Sequence, residues 1–161
     1  HIGEVLSYMD EQDHSNDAYL DELNPEFIKT YEGRIKGAMN ASAKAKTERK
    51  ELQEFFNTLA LKLSEAGVSL LAGSDCGAYN SYIYPGSSLH EELAQMVKAG
   101  LTPAEALQTS GHNGSQFLKK DNFGIKTGNL ADFVLLRGNP LEDISNTTQI
   151  EMVVKAGEII N

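Results

Sequence analysis

The sequence predicts an α/β fold that ends in a small all-β segment, and three observations predict it. Helical spacing of apolar residues dominates positions 25–66. A short apolar run at 68–72 (VSLLA) lies between Gly67 and Gly73, the pattern of a strand buried on both faces in a parallel sheet. From about residue 125 the pattern becomes that of strands separated by turn dipeptides.

The elements follow in order. Residues 1–24 join a short apolar stretch (Ile2, Val5, Leu6, Met9) to an acidic polar loop, in which His14 reads as a solvated side chain. Asn24-Pro25 starts a helix: Asn accepts from free backbone amides, and Pro tolerates the first helical position. Phe27, Ile28, Tyr31 and Ile35 continue it. Residues 43–66 form the strongest helix, with Leu52, Phe55, Phe56, Leu59, Leu63 and Ala66 in one stripe and a charged, solvated first half. Gly67 ends it. Residues 73–88 carry no periodicity and read as a loop. Ser88, with Glu91 three residues on, reads as the cap of a helix over 89–99, which Gly100 stops. Thr102-Pro103 opens the next helix, with Glu105 in its first turn. A shorter helical stretch follows around 115–118. Strands are expected at 131–136, 150–155 and 158–160, the last two joined at Ala156-Gly157.

Composition narrows the function. The chain has 161 residues, 40% hydrophobic and 23% charged, which is the balance of a folded globular chain. Asp and Glu number 23 against 14 Lys and Arg, a formal charge of −9, so a general nucleic-acid binder is not expected. No apolar run approaches the ~20 residues of a membrane-crossing helix. Cys76 is the only cysteine, which excludes an intrachain disulfide and a cysteine-rich zinc module.

Three motifs bear on chemistry. Gly73-Ser74-Asp75-Cys76-Gly77 places a carboxylate directly after the apolar run, where α/β folds put their reactive groups. The bland alternative is an Asp that turns the chain. An Asp-centred nucleophile elbow would pass straight into a helix, whereas a polar loop follows here. Among the histidines, His90-Glu91 fails the His-Glu-x-x-His pattern at its last position, so no zinc helix is present. His90, near the start of a helix after the Asp75 loop, is a candidate pocket residue. His112, between Gly111 and Asn113, reads as a loop or capping residue. Tyr79, Tyr82 and Tyr84 share the loop after Asp75 and are candidates to line a substrate pocket. Packing of the loop over the fold is the alternative for each.

The blocks AGVSLLAGSDCG, YPGSSLHEELAQMVKAGLTPAEALQTSGHNGSQFL, GIKTGNLADFVLLRGNPLEDI and IEMVVKAGEII, in this order and spacing, resemble the C-terminal end of metal-dependent amidohydrolases. The imidazolonepropionase-like and Xaa-Pro dipeptidase-like branches are the most similar. The resemblance implies the C-terminal portion of a (β/α)8 TIM-like barrel plus a small β-sandwich tail. Residues 1–124 would be barrel, about strands seven and eight with their helices, and residues 125–161 the sandwich segment. Residues 68–72 would be the eighth strand. Asp75 matches the family's aspartate at that strand's end, which touches the metal and shuttles a proton. Zinc, or another divalent metal, is the implied cofactor, with most ligands upstream of His1. The implied reaction is hydrolysis of an amide, peptide or cyclic amide C–N bond in a small molecule or dipeptide.

Two rival readings stand beside this one. In the first, the chain is a non-catalytic association module or remnant of the same fold. In the second it is an α/β hydrolase with Asp75 as nucleophile, which the all-β tail does not fit. In either amidohydrolase case, open sheet edges and the Leu52–Phe55–Phe56–Leu59 stripe lead to the expectation of a homo-oligomer or of association with an N-terminal part. Taken alone, the chain is expected to be inactive.

Overall fold

The computed structural model describes residues 2–77 and 80–160. Its helices are α1 (Ile2–Tyr8), α2 (Pro25–Met39), α3 (Ala43–Glu65), α4 (Ser87–Lys98), α5 (Pro103–Ser110) and α6 (His112–Phe117). Its strands are β1 (Phe133–Leu136), β2 (Ile150–Lys155) and β3 (Glu158–Ile159). Short 3-10 turns occupy Leu20–Glu22 and Ile144–Thr148. The chain divides into two compact units, one of His1–Leu59 with Ser74–Leu89 and the other of Ala60–Gly73 with His90–Asn161.

The first unit is built on α1, α2 and most of α3, as far as Leu59. Asn24 caps α2 by accepting from the Glu26 amide at 2.9 Å, with Pro25 at the first helical position. Gly3 lets α1 approach α3 closely, because a Cβ there would fall 2.0 Å from the Gln53 Oε1. Ser7 Oγ donates to the Arg49 carbonyl at 3.1 Å across the same contact. The core of this unit joins Val5, Met9, Tyr31 and Ala38 to Tyr82, Ile83 and Tyr84. A segment outside any helix or strand thus supplies three of the seven core side chains.

The second unit holds the last turns of α3 from Ala60, most of α4, then α5, α6 and the sheet. Gly67 takes a φ of 78° after α3, and the Val68 and Gly67 amides return to the Leu63 and Ser64 carbonyls at 2.9 Å each. This paired closure requires the left-handed conformation that glycine adopts freely. Gly100 closes α4 in the same way. Thr102 and Glu105 form a reciprocal capping box at the start of α5, and the bonds from Thr102 hold the Glu105 carboxyl below its usual range. The core is Leu93, Ala106 and Ile144, with Ala72, Met96, Val97 and Leu107 against it.

The sheet is antiparallel in the order β1-β2-β3. Phe133 faces Val154, and the register shifts by a bulge between Leu135 and Leu136. Ala156 and Gly157 both take positive φ, the conformation of a tight two-residue hairpin turn. All the strands among the described residues lie beyond residue 124. The expected strands there are present, slightly shortened. Val134 and Leu135 on opposite faces of β1 are both exposed.

Three expectations need correction. The apolar run at 68–72 is extended but pairs with no strand, and Val68 and Leu71 are exposed. A parallel strand needs a neighbour brought alongside by a crossover, and none of the described residues supplies one. Its backbone is held instead by α5 and α6: the Ala72 amide donates to the Thr109 carbonyl at 3.2 Å, and Asn113 Nδ2 donates to the Leu70 carbonyl at 2.9 Å. At the start of the chain, where strand seven was expected, α1 stands. The described residues therefore close no barrel. Ser88 is no cap: α4 already begins at Ser87, and Ser88 Oγ accepts from the Tyr84 amide at 2.9 Å. The α3 stripe is open, as its sequence leads one to expect, with Leu52, Phe55, Phe56 and Leu59 all exposed.

Candidate functional site

Asp75 lies just past the extended 68–72 segment, with its residue exposed and its backbone left-handed at φ 52°. Asp tolerates that region better than most residues because its short side chain bonds locally. The conformation is supported from outside. Asn80 Nδ2 donates to the Asp75 carbonyl, and Asn80 Oδ1 accepts from Arg34 Nη1 of α2 at 3.2 Å. The Arg34–Asn80 pair thus ties the Asp75 turn to a helix of the first unit. Cys76, next in the chain, is exposed.

The loop after Asp75 turns inward. Tyr84 Oη donates to Asp17 Oδ2 at 2.7 Å, and the same oxygen lies 2.9 Å from His14 Nδ1. The His14 ring stacks on Tyr82 with centroids 4.2 Å apart and planes 7° from parallel. Tyr31 leans against Tyr82 at 5.4 Å, and Tyr19 against Tyr84 at 5.5 Å. Burial, followed by the bond to Asp17, pushes the Tyr84 hydroxyl far above the usual phenol range. Burial, then the charges of Glu32 and Asp17, push Tyr82 upward as well. Both phenols therefore remain protonated at neutral pH, and that of Tyr84 donates to Asp17. Tyr82 also holds a positive φ of 59°, a costly conformation for a bulky residue, sustained here by packing on both sides of its ring.

The residues singled out from sequence thus stand in different settings. Asp75, Tyr82 and Tyr84 belong to the first unit, with Asp75 at its surface and the two tyrosines in its core. His90 belongs to the second unit, on α4, and its Nδ1 is buried without a hydrogen-bond partner. Tyr79 lies outside the described residues. His14, read as solvated, is instead packed on Tyr82 with a side chain only 17% exposed. Asp17, Arg34 and Asn80 were not singled out. The local signals were the His14–Asp17 and Asp75–Asn80 spacings, while Arg34 lies far from Asn80 along the chain and Tyr84 far from Asp17.

Among the described residues, no group of three or more His, Cys, Asp and Glu side chains comes together in a way that could hold a metal ion. Zinc takes three or four protein ligands, so the donor set present does not fit such a site by itself.

Residues 18–160 match the amidohydrolase family, and the chain belongs to it. A bottromycin amidohydrolase shares its fold with a TM-score of 0.75 and 22% identity, over 92% of this chain and 32% of that one. A Xaa-Pro dipeptidase, crystallised with methionine bound in its active site, shares it with a TM-score of 0.59 and 21% identity, over 99% and 33%. The chain spans about a third of the length of these structures. No curated protein matches it. Membership of this family implies a barrel-type α/β fold, of which the described residues show helices, an extended segment and the terminal sheet.

Proposed function

We propose that this chain serves in the hydrolysis of a C–N bond, in an amide, peptide or cyclic amide, with Asp75 as the proton-carrying carboxylate. The observation that carries this reading is the family match over residues 18–160, which spans the exposed Asp75. An accessible carboxylate can take a proton from the water that attacks the carbonyl carbon. As the C–N bond breaks and the new C–O bond remains, it returns that proton to the leaving nitrogen. Tyr82 and Tyr84 shape this site from behind, anchoring the loop through Asp17 and His14. His90, on α4 of the second unit, is read as a pocket residue of its own unit rather than a metal ligand. A zinc or other divalent ion would need donors beyond those the described residues bring together.

The test is turnover of dipeptides and cyclic amides by the protein that carries this chain, with Asp75 intact or replaced. Asp75→Asn should keep the fold and lose about 10²-fold or more in kcat, as removal of a general base does. Turnover near that of the unmodified protein in folded Asp75→Asn material would remove Asp75 from the mechanism.

A further inference from the structure

Asp75 is held at φ 52°, a conformation that most side chains avoid and that persists where the surroundings fix it. The hold comes from the Asn80 side chain, whose amide is bonded at both ends. Nδ2 donates to the Asp75 carbonyl, and Oδ1 accepts from Arg34 Nη1 at 3.2 Å. The partners dictate this orientation, because a guanidinium only donates and a carbonyl only accepts. The Asn80 backbone is engaged as well: its N–H donates to the Gly77 carbonyl at 3.0 Å, and its carbonyl accepts from the Ile83 amide at 3.2 Å. Ile83 is wholly buried and Arg34 stands on α2. Asn80 therefore connects Asp75 to a core residue and a helix of the same unit.

The grip is on the main chain of Asp75 and not on its carboxylate. It sets where the carboxylate stands without competing for the proton it would carry. A general base works only within hydrogen-bond reach of that proton, and a misplacement of about 1 Å can cost about 10²-fold in rate.

We infer that Asn80, and through it Arg34, are positioning residues for proton transfer by Asp75, an assignment that rests on Asp75 being the proton-carrying carboxylate proposed above. Arg34 orients the Asn80 amide, and the Asn80 amide holds the turn.

The experiment uses the whole protein that carries this chain, with two readouts: turnover of dipeptides and cyclic amides, and the carbonyl resonance of Asp75. Cys76 is the only cysteine of this chain, so labelling Asp carbonyl carbon and Cys nitrogen marks the Asp75–Cys76 peptide, and loss of the signal in Asp75→Asn assigns it. Asn80→Asp keeps an acceptor for Arg34 and loses the donor to Asp75, whereas Asn80→Ala loses both without adding charge. Each should move the Asp75 resonance and lower kcat about 10- to 10²-fold with KM unchanged. Arg34→Met should act in the same direction and less strongly, since Asn80 keeps its donor. In the Asp75→Asn background, Asn80→Ala should cost nothing further in kcat, because it acts through a group already removed. The loss in Asn80→Asp should persist at every pH; recovery at high pH would assign it to the added charge and overturn positioning. An unmoved resonance, full kcat in both Asn80 variants beside an impaired Asp75→Asn, or an additive loss in the double variant would each overturn this proposal and leave the role of Asp75 standing. Full turnover in Asp75→Asn, or none in the unmodified protein, would overturn the hydrolytic reading and this assignment with it.

Discussion

Residues 80–84 and residues 68–72 are two short segments outside any helix or strand, with opposite fates. In the first, Ser81, Tyr82, Ile83 and Tyr84 are all buried, and Ile83 has no exposed surface at all. In the second, Leu71 is 44% exposed although the run is almost wholly apolar. The difference lies in partners. The 80–84 segment meets α1, α2 and the 9–20 loop within its own unit, with Tyr84 bonded to Asp17, Tyr82 stacked on His14, and Ile83 in the same core. The 68–72 segment has two bonds to α5 and α6 and no strand beside it. Apolar composition supplies the tendency to be buried, and a packed neighbour realises it.

The largest expected effect breaks this comparison if it fails. Ile83→Ala opens a cavity in a filled core and should cost about 2–5 kcal/mol of stability. Leu71→Ala, at a site already open to water, should cost less than about 1 kcal/mol. Urea unfolding midpoints of the two variants decide it. An equal loss in both would mean that the extended segment is packed as firmly as the aromatic loop.

The same contrast explains what could be read from the residues. Features set within a few positions were legible: Asn24-Pro25 at α2, the Thr102–Glu105 box at α5, Gly67 and Gly100 at helix ends, and Ala156-Gly157 in the hairpin. Each depends on one turn of backbone and its own side chains. The strand at 68–72 was misread because its signal is also local, while a parallel strand is a property of two chain segments. The aromatic cluster was half legible. Tyr82 and Tyr84 drew attention as a loop, but Tyr84 and Asp17 lie 67 positions apart and no periodicity links them. Asp75 was legible through position and family likeness, whereas the Arg34–Asn80 support of its turn is again a distant contact.

A smaller effect sharpens the account of the buried loop. Tyr84→Phe keeps the ring against Tyr19 and removes only the hydroxyl that donates to Asp17. A hydrogen bond to a charged group contributes about 1.5–3 kcal/mol, and a loss of that order is expected. His14 still lies beside Asp17, which keeps the carboxylate partnered and places the result at the lower end. Thermal or urea unfolding measures it. No loss would mean that packing alone holds the segment.

The smallest expected effect is a slope. Tyr31, Tyr82 and Tyr84 all have hydroxyls raised above the ordinary phenol value, in each case first by burial. Unfolded tyrosine titrates near pH 10, so the folded chain holds these protons where the unfolded chain releases them. A raised value in the folded state means that the stabilisation is complete below about pH 10 and is lost as pH rises through the folded values. The loss belongs to one unit: every tyrosine lies before residue 90, and the second unit contains none. Urea midpoints measured from pH 9 to pH 11 should fall, and the fall should be shallower in Tyr84→Phe, which has one fewer buried phenol to ionise. A midpoint that stayed level above pH 10 would show that the phenols reach water without unfolding. The burial that separates 80–84 from 68–72 would then be looser than the packing of Ile83 implies.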